Sequence, residues 1–187
     1  MTAEKGNVGA FALRLAFAAV AISLGAGAAP SDGSAVPSSK TETAAAKPSK
    51  SVPKGWIEDF EAAKRKAASE GKMILIAFSG SDWCYWCKKM DEEVFSKGKF
   101  VKEASEKYVL VMIDSPSNKA ILSKLALEQN GGLRAKYEVR GFPSVVIVNP
   151  EGEVVKRHSG YRKGGPKEYL KYLKELMNGV KWPEKAK

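Results

Sequence analysis

SGSDWCYWCKKM, residues Ser79–Met90, holds the only two cysteines of this 187-residue chain, Cys84 and Cys87. Two residues separate the thiols, which follow a continuous apolar run and stand at the start of a segment of helix-forming composition. Thiol–disulfide exchange needs two thiols at this spacing, with one of them at a helix start where a thiolate can form. The stretch therefore indicates redox chemistry.

The pattern of apolar and polar residues around this stretch predicts alternating helices and strands. A short apolar run such as KMILIAF, residues 72–78, is typical of a central strand that is covered on both faces. Helices are predicted over 56–70, 84–96, 119–137 and 167–177, with the third broken near Gly131 and Gly132, and strands over 72–78, 108–113, 144–148 and 153–159. This order predicts an α/β layered fold with a mixed sheet.

The N-terminal part of the chain has the features of an export signal followed by a tether. Lys5 and Arg14 precede an apolar run that ends in small residues, and the A-x-A pattern of Ala26 and Ala28 predicts cleavage after Ala28. An uncleaved anchor stays open, although a helix of this length reaches only ~22 Å across a hydrocarbon core of ~30 Å. We predict a signal peptide over 1–28, a flexible linker rich in Pro, Ser, Ala and Lys over 29–53, and one folded domain over 54–187.

The chain is basic, with a formal net charge of +10 that lies almost entirely outside the first 28 residues. Its lysines are scattered among Asp and Glu rather than gathered in one block, which favours a basic surface without a dedicated polyanion site. We therefore predict no nucleic-acid partner. Binding of a polyanion or a membrane surface stays open as an alternative, and it would show a steep salt dependence.

Several motifs in their order along the chain resemble the thioredoxin superfamily over residues 54–180. They are the apolar strand, DWCYWCKKM, a second strand that ends at Asp114, YEVRGFPSVVIV over 137–148, a hairpin turn and a closing helix. The GSDWCxWCKK form of the motif is similar to that of exported bacterial thioredoxin-like domains. The resemblance implies a thioredoxin-like fold, with a central mixed β-sheet flanked by helices, and a cis bond before Pro143 that places this proline against the dithiol.

The predicted chemistry assigns different roles to the two thiols. A helix N-terminus offers unpaired N–H groups and the positive end of the helix dipole, which stabilise a thiolate. Cys84, at the helix start, is therefore the predicted nucleophile. Cys87, one turn further on, is the predicted resolving thiol that attacks the mixed disulfide, so the pair is a redox-active disulfide.

The substrate-binding residues are predicted from the same resemblance. Tyr85 and Trp86, between the cysteines, correspond to an exposed rim, and Phe142 corresponds to the position whose backbone pairs with an extended substrate. We predict that Trp83, Tyr85, Trp86, Phe142 and Pro143 contact substrate. For the aromatic side chains, a packing role stays open.

Three other roles for Cys84 and Cys87 compete with redox chemistry. A structural disulfide between residues so close in sequence closes a tiny loop and stabilises little. A zinc site needs about four ligands, whereas the chain offers two cysteines and one distant histidine, His158, which we predict to be solvated. Two inert buried thiols are disfavoured because the turn at Asp82 and Trp83 should leave Cys84 partly exposed. We predict neither a metal nor a cofactor.

Two departures from the family leave parts of the mechanism open. Many relatives have a buried acid in the strand before the motif, where this chain has Ala77, so another group must take the proton, and Asp82 is one candidate. The Tyr85–Trp86 pair matches neither typical reductants nor typical oxidants. We predict a periplasmic, monomeric thiol–disulfide oxidoreductase that acts on protein disulfides, with reduction slightly favoured and a membrane thiol reductase as electron donor. The alternative is a non-catalytic peptide-binding or chaperone-like module.

Overall fold

The computed structural model describes residues 48–186. The predicted signal peptide and residues 29–47 of the predicted linker lie outside the described residues. Within the described part, no helix combines the length and apolarity that a membrane crossing needs.

A four-stranded mixed sheet forms the centre of the domain. Its strands are β1 (Met73–Ser79), β2 (Tyr108–Asp114), β3 (Ser144–Val148) and β4 (Val154–Ser159), in the spatial order β2-β1-β3-β4. β1 pairs with β2 in parallel and with β3 antiparallel, and β3 pairs with β4 antiparallel. The predicted α/β fold with a mixed sheet is confirmed.

Helices cover both faces of this sheet. They are α1 (Phe60–Glu70), α2 (Tyr85–Met90), α3 (Gly98–Ala104), α4 (Lys124–Lys136) and α5 (Gly165–Leu176). A π-helical turn, Asp91–Phe95, continues α2, and a 3₁₀ turn, Lys119–Ile121, precedes α4. Alternate residues of β1 face opposite layers, as the two-residue period of a strand requires. Leu75 and Ala77 join the core of α2, α3 and α5, whereas Ile74 and Ile76 join the core of α1.

The first helix begins later than the sequence predicts. Its N-cap is Asp59, whose carboxylate accepts the N–H of Ala62 at 2.8 Å, and Gly71 ends it in the left-handed conformation at φ 65°. Ile57 is not helical, because it forms a parallel bridge with Val111 of β2. The predicted start at residue 56 is therefore wrong, because this segment pairs with β2 before the helix begins.

The helical predictions between β1 and β3 also need correction. The predicted helix over 84–96 is α2 followed by the π-helical turn, and α3 was missed. α4 runs straight through Gly131 and Gly132, so the predicted break is wrong, and the interruption comes earlier, at Leu122. Both glycines are exposed, while Asn130 beside them anchors α4 by donating to the C=O of Asp114 at 2.8 Å.

The folded domain begins before residue 54. Ser49 is buried, and its N–H and hydroxyl donate to the carboxylate of Glu58 at 3.2 and 2.5 Å. The Ser49 hydroxyl also accepts the N–H of Ser123 at 2.9 Å. Residues 48–53, which were predicted to be linker, therefore form part of the domain in this structure.

Candidate active site

Cys84 and Cys87 form a disulfide at the N-terminus of α2, with their Cα atoms 5.2 Å apart. Cys84 is the N-cap residue, and its Sγ accepts the backbone N–H of Cys87 at 3.2 Å. Cys84 keeps 7% of its surface exposed and Cys87 keeps 2%. Cys84 is the more accessible of the two sulfurs, but it is less exposed than predicted. The exposed side chains next to it are those of Trp83, Tyr85 and Trp86.

The turn before α2 is fixed by a buried carboxylate at the end of β2. Asp114 accepts the N–H of Ser81 at 2.9 Å and its hydroxyl at 2.5 Å. The turn also needs Gly80, because a Cβ there would lie 2.4 Å from the Trp83 ring. No role in the site was predicted for Asp114. Its place at the end of a buried apolar strand was the signal that could have shown it.

An aromatic group on one side of the disulfide, the Trp83 cluster, consists of Trp83, Phe142 and Arg134. The indole N–H of Trp83 donates to the C=O of Ser115 at 2.9 Å. Phe142 meets the Trp83 ring edge to face, with centroids 5.5 Å apart, and the Arg134 guanidinium lies 5.0 Å from the Phe142 centroid. The structure thus brings Trp83 and Phe142, both predicted from the sequence, into contact.

The peptide bond between Phe142 and Pro143 is cis, as the resemblance implied. Pro143 and Cys87 line the same small cavity. The C=O of Pro143 accepts the N–H of Gly160 at 2.8 Å, whereas the N–H and C=O of Phe142 bond to nothing within residues 48–186. The main chain at Phe142 is therefore free to pair with an extended segment.

A second group, the Trp86 cluster, consists of Tyr85, Trp86 and Tyr161. Tyr85 and Trp86 are 61% and 50% exposed, and their ring centroids are 5.0 Å apart. Trp86 stacks on Tyr161 at 5.2 Å, and the Tyr161 hydroxyl donates to Glu93, which raises the pKa of Tyr161 to about 12. Tyr161 was missed by the sequence analysis because it comes from the loop after β4, and no local pattern reports such a distant contact.

Asp82, one candidate proton acceptor in the sequence, binds the backbone of the loop after β2. Its carboxylate accepts the N–H of Asn118 at 2.8 Å and the N–H of Ser117 at 2.9 Å. These bonds hold the pKa of Asp82 below its usual range. Asp82 therefore fixes the loop after β2, and the prediction that it serves as the base is not supported.

Another carboxylate lies closer to the resolving thiol. Asp91, the first residue of the π-helical turn, donates its N–H to the C=O of Cys87. Both side chains line the cavity beside Pro143. Burial raises the pKa of Asp91, although a hydrogen bond from Ser96 at 2.7 Å opposes this shift. The sequence signal that could have shown Asp91 is its spacing of one helical turn from Cys87.

His158 is not the solvated side chain that the sequence predicts. It is half-buried, and its Nε2 lies 2.7 Å from the hydroxyl of the buried Tyr169 on α5. Burial lowers the pKa of His158, with a smaller contribution from the charge of Arg162. The predicted exposure of His158 is wrong because α5 covers β4 at this residue. Within residues 48–186, no three His, Cys, Asp or Glu side chains are grouped to hold a metal ion.

Comparisons of the sequence with known proteins identify the family. Residues 60–176 match the family model described as a thioredoxin-like domain. The disulfide bond reductase DsbH of Chlamydia pneumoniae is 31% identical over 64% of this chain and 71% of its own length. The thioredoxin-related protein DsbJ of the same organism is 27% identical over 54% of this chain, which spans only 29% of that protein.

Solved structures agree with this match. A structure of DsbH oxidoreductase has a TM-score of 0.60 at 28% identity, covering 66% of this chain and 84% of that one. A solution structure of a thioredoxin from Thermus thermophilus has a TM-score of 0.50 at 23% identity, over 70% of this chain and 92% of that one, and shows the fold alone. With the Cys84–Cys87 pair at the start of α2 and the cis bond before Pro143, the chain belongs to the thioredoxin-like family.

Proposed function

We propose that this chain is a thiol–disulfide oxidoreductase that acts on protein disulfides, with Cys84 as the nucleophile and Cys87 as the resolving thiol. The observation that carries the proposal is the hydrogen bond from the Cys87 N–H to the Cys84 Sγ at the N-cap of α2. A sulfur in this position gains a hydrogen bond and the field of the helix N-terminus when it is charged, which lowers the pKa of a thiol.

The reductive cycle assigns one step to each sulfur. The Cys84 thiolate attacks a substrate disulfide, forms a mixed disulfide and releases one substrate thiol. Cys87 then attacks the Cys84 Sγ, which closes the Cys84–Cys87 disulfide and releases the second substrate thiol. The substrate gains two electrons and the protein is oxidised. The lower exposure of Cys87 supports this order, because an attacking sulfur must reach the substrate first.

The surfaces around the disulfide support a polypeptide as the substrate. Tyr85 and Trp86 present large exposed rings beside Cys84, and aromatic side chains of this kind are enriched where proteins bind each other. The unpaired main chain of Phe142 offers two hydrogen bonds to an extended segment. We propose Trp83, Tyr85, Trp86, Phe142 and Pro143 as the substrate-binding residues.

Reduction is the proposed direction of electron flow. Support comes from the similarity to DsbH, which bears the name of a disulfide bond reductase and is 31% identical to this chain. The basic N-terminal start, apolar run and small residues support export to the periplasm. In that oxidising compartment the domain, which we propose is a monomer, needs an electron donor, and a membrane thiol reductase would suit this role.

A redox titration tests the direction. The Cys84–Cys87 pair would be equilibrated with mixtures of reduced and oxidised glutathione. Free thiols would then be alkylated, and mass spectrometry would give the fraction of protein that carries the disulfide. A reductant should have a potential near that of thioredoxins, about −270 mV, whereas an oxidant lies near −120 mV. A value near −120 mV would overturn the reductive assignment.

Insulin reduction tests the activity itself. The wild-type domain should precipitate insulin chains in the presence of a reductant, and Cys84→Ser should lose this activity. Equal and negligible rates for both proteins would favour the non-catalytic binding module, which the exposed rings of Tyr85 and Trp86 would also suit.

Trapping tests the roles of the two sulfurs. Cys87→Ser should accumulate mixed disulfides with client proteins through Cys84, because the resolving step is missing. Cys84→Ser is the matched control and should trap far less, since Cys87 is the more buried sulfur. Equal trapping by the two variants would contradict the assignment of Cys84 as the nucleophile.

A further inference from the structure

Cys87 needs a base before it can resolve a mixed disulfide. Free cysteine has a pKa of about 8.5, and burial raises it, so few Cys87 side chains are thiolates at neutral pH. Ala77 in β1 carries no proton acceptor, and Asp82 is committed to the N–H groups of Ser117 and Asn118. Neither of the positions considered from the sequence supplies the base.

A cavity of about 50 Å³ borders Cys87 and Pro143. It has room for one or a few water molecules. Polar groups from three parts of the chain line it, namely Ser51 before α1, Ser79 and Ser81 around the end of β1, and Cys87, Lys88 and Asp91 on α2 and its continuation. The Ser51 hydroxyl is buried and has no hydrogen-bond partner among residues 48–186. Buried hydroxyls are ordinarily paired, so this one marks the cavity as a place for water.

Asp91 is placed to act on Cys87 across this cavity. It follows Cys87 by one helical turn, and residues at this spacing lie on the same helix face with Cβ atoms about 5–6 Å apart. One carboxylate oxygen accepts the hydroxyl of Ser96 at 2.7 Å, and the other accepts no hydrogen bond from residues 48–186. Burial raises the pKa of Asp91, which makes its carboxylate a stronger base than an exposed aspartate.

The other groups that face the cavity do not compete for this role. Apart from Asp91, Lys88 is the only charged residue that lines the cavity. Its ammonium donates to the C=O of Asp82 at 3.4 Å. The remaining lining residues are neutral: Phe78, Ser79 and Ser81 near the end of β1, Met112 of β2, Ser51, Phe95 and Pro143. Asp114, behind Ser81, accepts both hydrogen bonds that Ser81 donates.

We infer that Asp91 takes the proton of Cys87 through water in this cavity while the mixed disulfide is resolved. The inference deepens the proposed function and rests on it for the identity of the substrate. The Cys87 S–H bond breaks and its proton passes to the Asp91 carboxylate. The Cys87 thiolate forms the S–S bond with Cys84, the bond between Cys84 and the substrate sulfur breaks, and the substrate leaves as a thiolate. The carboxylic acid of Asp91 then returns its proton to solvent or to that thiolate.

A small disulfide isolates this step from the proposed biological activity. Reduced protein would be mixed with 2,2′-dithiodipyridine, which releases one pyridine-2-thione when Cys84 forms the mixed disulfide and a second when Cys87 resolves it. Stopped-flow absorbance then reports the two steps separately. Wild type that releases both thiones but does not reduce insulin would contradict the proposed function, without bearing on the role of Asp91.

The variant that tests the inference is Asp91→Asn, which preserves the side-chain shape and an acceptor for Ser96. The second release should slow by about 100-fold at pH 7, the range of general base catalysis, while the first stays unchanged. The slowdown should vanish towards pH 10, where hydroxide removes the proton. Removing the negative charge of Asp91 would by itself lower the pKa of Cys87 and speed the second release. A slower second release therefore reports the loss of proton transfer and not the loss of charge.

Two further variants complete the test. Glu92→Gln removes the neighbouring exposed acid and should keep the wild-type rate, whereas Asp91→Glu should recover part of the rate lost in Asp91→Asn. Overlapping rate–pH profiles for wild type and Asp91→Asn would overturn the inference. A slowdown of the same size at pH 7 and pH 10 would overturn it too, because it would indicate a structural effect.

Discussion

The Trp83 cluster and the Trp86 cluster flank the same disulfide, but they are held in different ways. Trp83 and Trp86 are both 50% exposed. The Trp83 indole bonds to Ser115 and its ring packs on Phe142, in a turn that Asp114 fixes from β2. The Trp86 indole N–H bonds to nothing within residues 48–186, and its ring stacks on Tyr161 and meets the ring of Tyr85 edge to face. Equal exposure therefore conceals two kinds of attachment: Trp83 is fixed by a hydrogen bond as well as by ring packing, whereas Trp86 is held by ring contacts.

Asp114→Ala should have the largest effect, because it removes the support of the Trp83 cluster. The N–H and hydroxyl of Ser81 lose their acceptor, and an unpaired buried group costs about 1–3 kcal/mol. We expect the free energy of unfolding of the oxidised domain to fall by about 2–3 kcal/mol in urea titrations. Asp114→Asn keeps one acceptor and should lose less. Equal losses for the two variants would contradict the role of the paired hydrogen bonds.

Trp83→Ala should lower stability by about 1–2 kcal/mol, because it removes the hydrogen bond to Ser115 and the contact with Phe142. Urea unfolding of the oxidised protein measures the loss. Trp83→Phe, which keeps a ring but no indole N–H, separates the two contributions. A change below about 0.5 kcal/mol for Trp83→Ala would show that the two clusters do not differ as described.

Trp86→Ala should change binding rather than stability. We expect the free energy of unfolding to stay within about 0.5 kcal/mol of wild type, as for ordinary surface positions. The kcat/KM for insulin should fall about 5- to 10-fold, consistent with the loss of an aromatic contact to the substrate. The rate with 2,2′-dithiodipyridine should stay unchanged, since this reagent is too small to need the cluster. Equal losses with both substrates would place Trp86 in the chemistry instead.

The smallest effect should come from His158, which fixes β4 next to the loop that carries Tyr161. Burial lowers the pKa of His158 in the folded protein, so the unfolded chain binds the proton first as pH falls below about 6.5. The stability that His158 contributes should therefore be fully present above the unfolded pKa and should be lost as pH falls from there through the lower folded pKa. His158→Gln should remove this part of the pH dependence in urea titrations. An unchanged slope would contradict the assignment.

Three strands of the sheet, β1, β2 and β3, could be predicted from the sequence because they are continuous apolar runs, and the turn over 149–152 predicted β4 as their hairpin partner. Helix limits were less predictable, because they depend on contacts that are distant in sequence. Ile57 leaves α1 to pair with Val111, and α4 continues through Gly131 and Gly132. Each glycine costs a helix about 1 kcal/mol, which the anchoring of α4 to the sheet offsets.

The site was predictable where one motif carries it. Cys84 and Cys87 lie in a single stretch, and Phe142 and Pro143 lie in the RGFP element. Tyr161 reaches the site only through the tertiary fold, so its role could not be read locally, whereas Asp114 was marked by its position at the end of an apolar strand. The position of Asp91 beside Cys87 could have been predicted, because the two residues are one helical turn apart. The raised pKa of its carboxyl could not, because it depends on burial that only the packed structure provides.

The thiol pKa values test most directly whether Cys84 is the activated nucleophile. Cys87→Ser and Cys84→Ser each leave one thiol, and the rate of its alkylation by iodoacetamide between pH 4 and pH 10 gives its pKa. Cys84 should titrate below the ordinary value of about 8.5, because the helix N-terminus stabilises its thiolate, and Cys87 should titrate above it, because it is buried near Asp91. A pKa of Cys84 at or above 8.5, or the reverse order of the two values, would contradict the account.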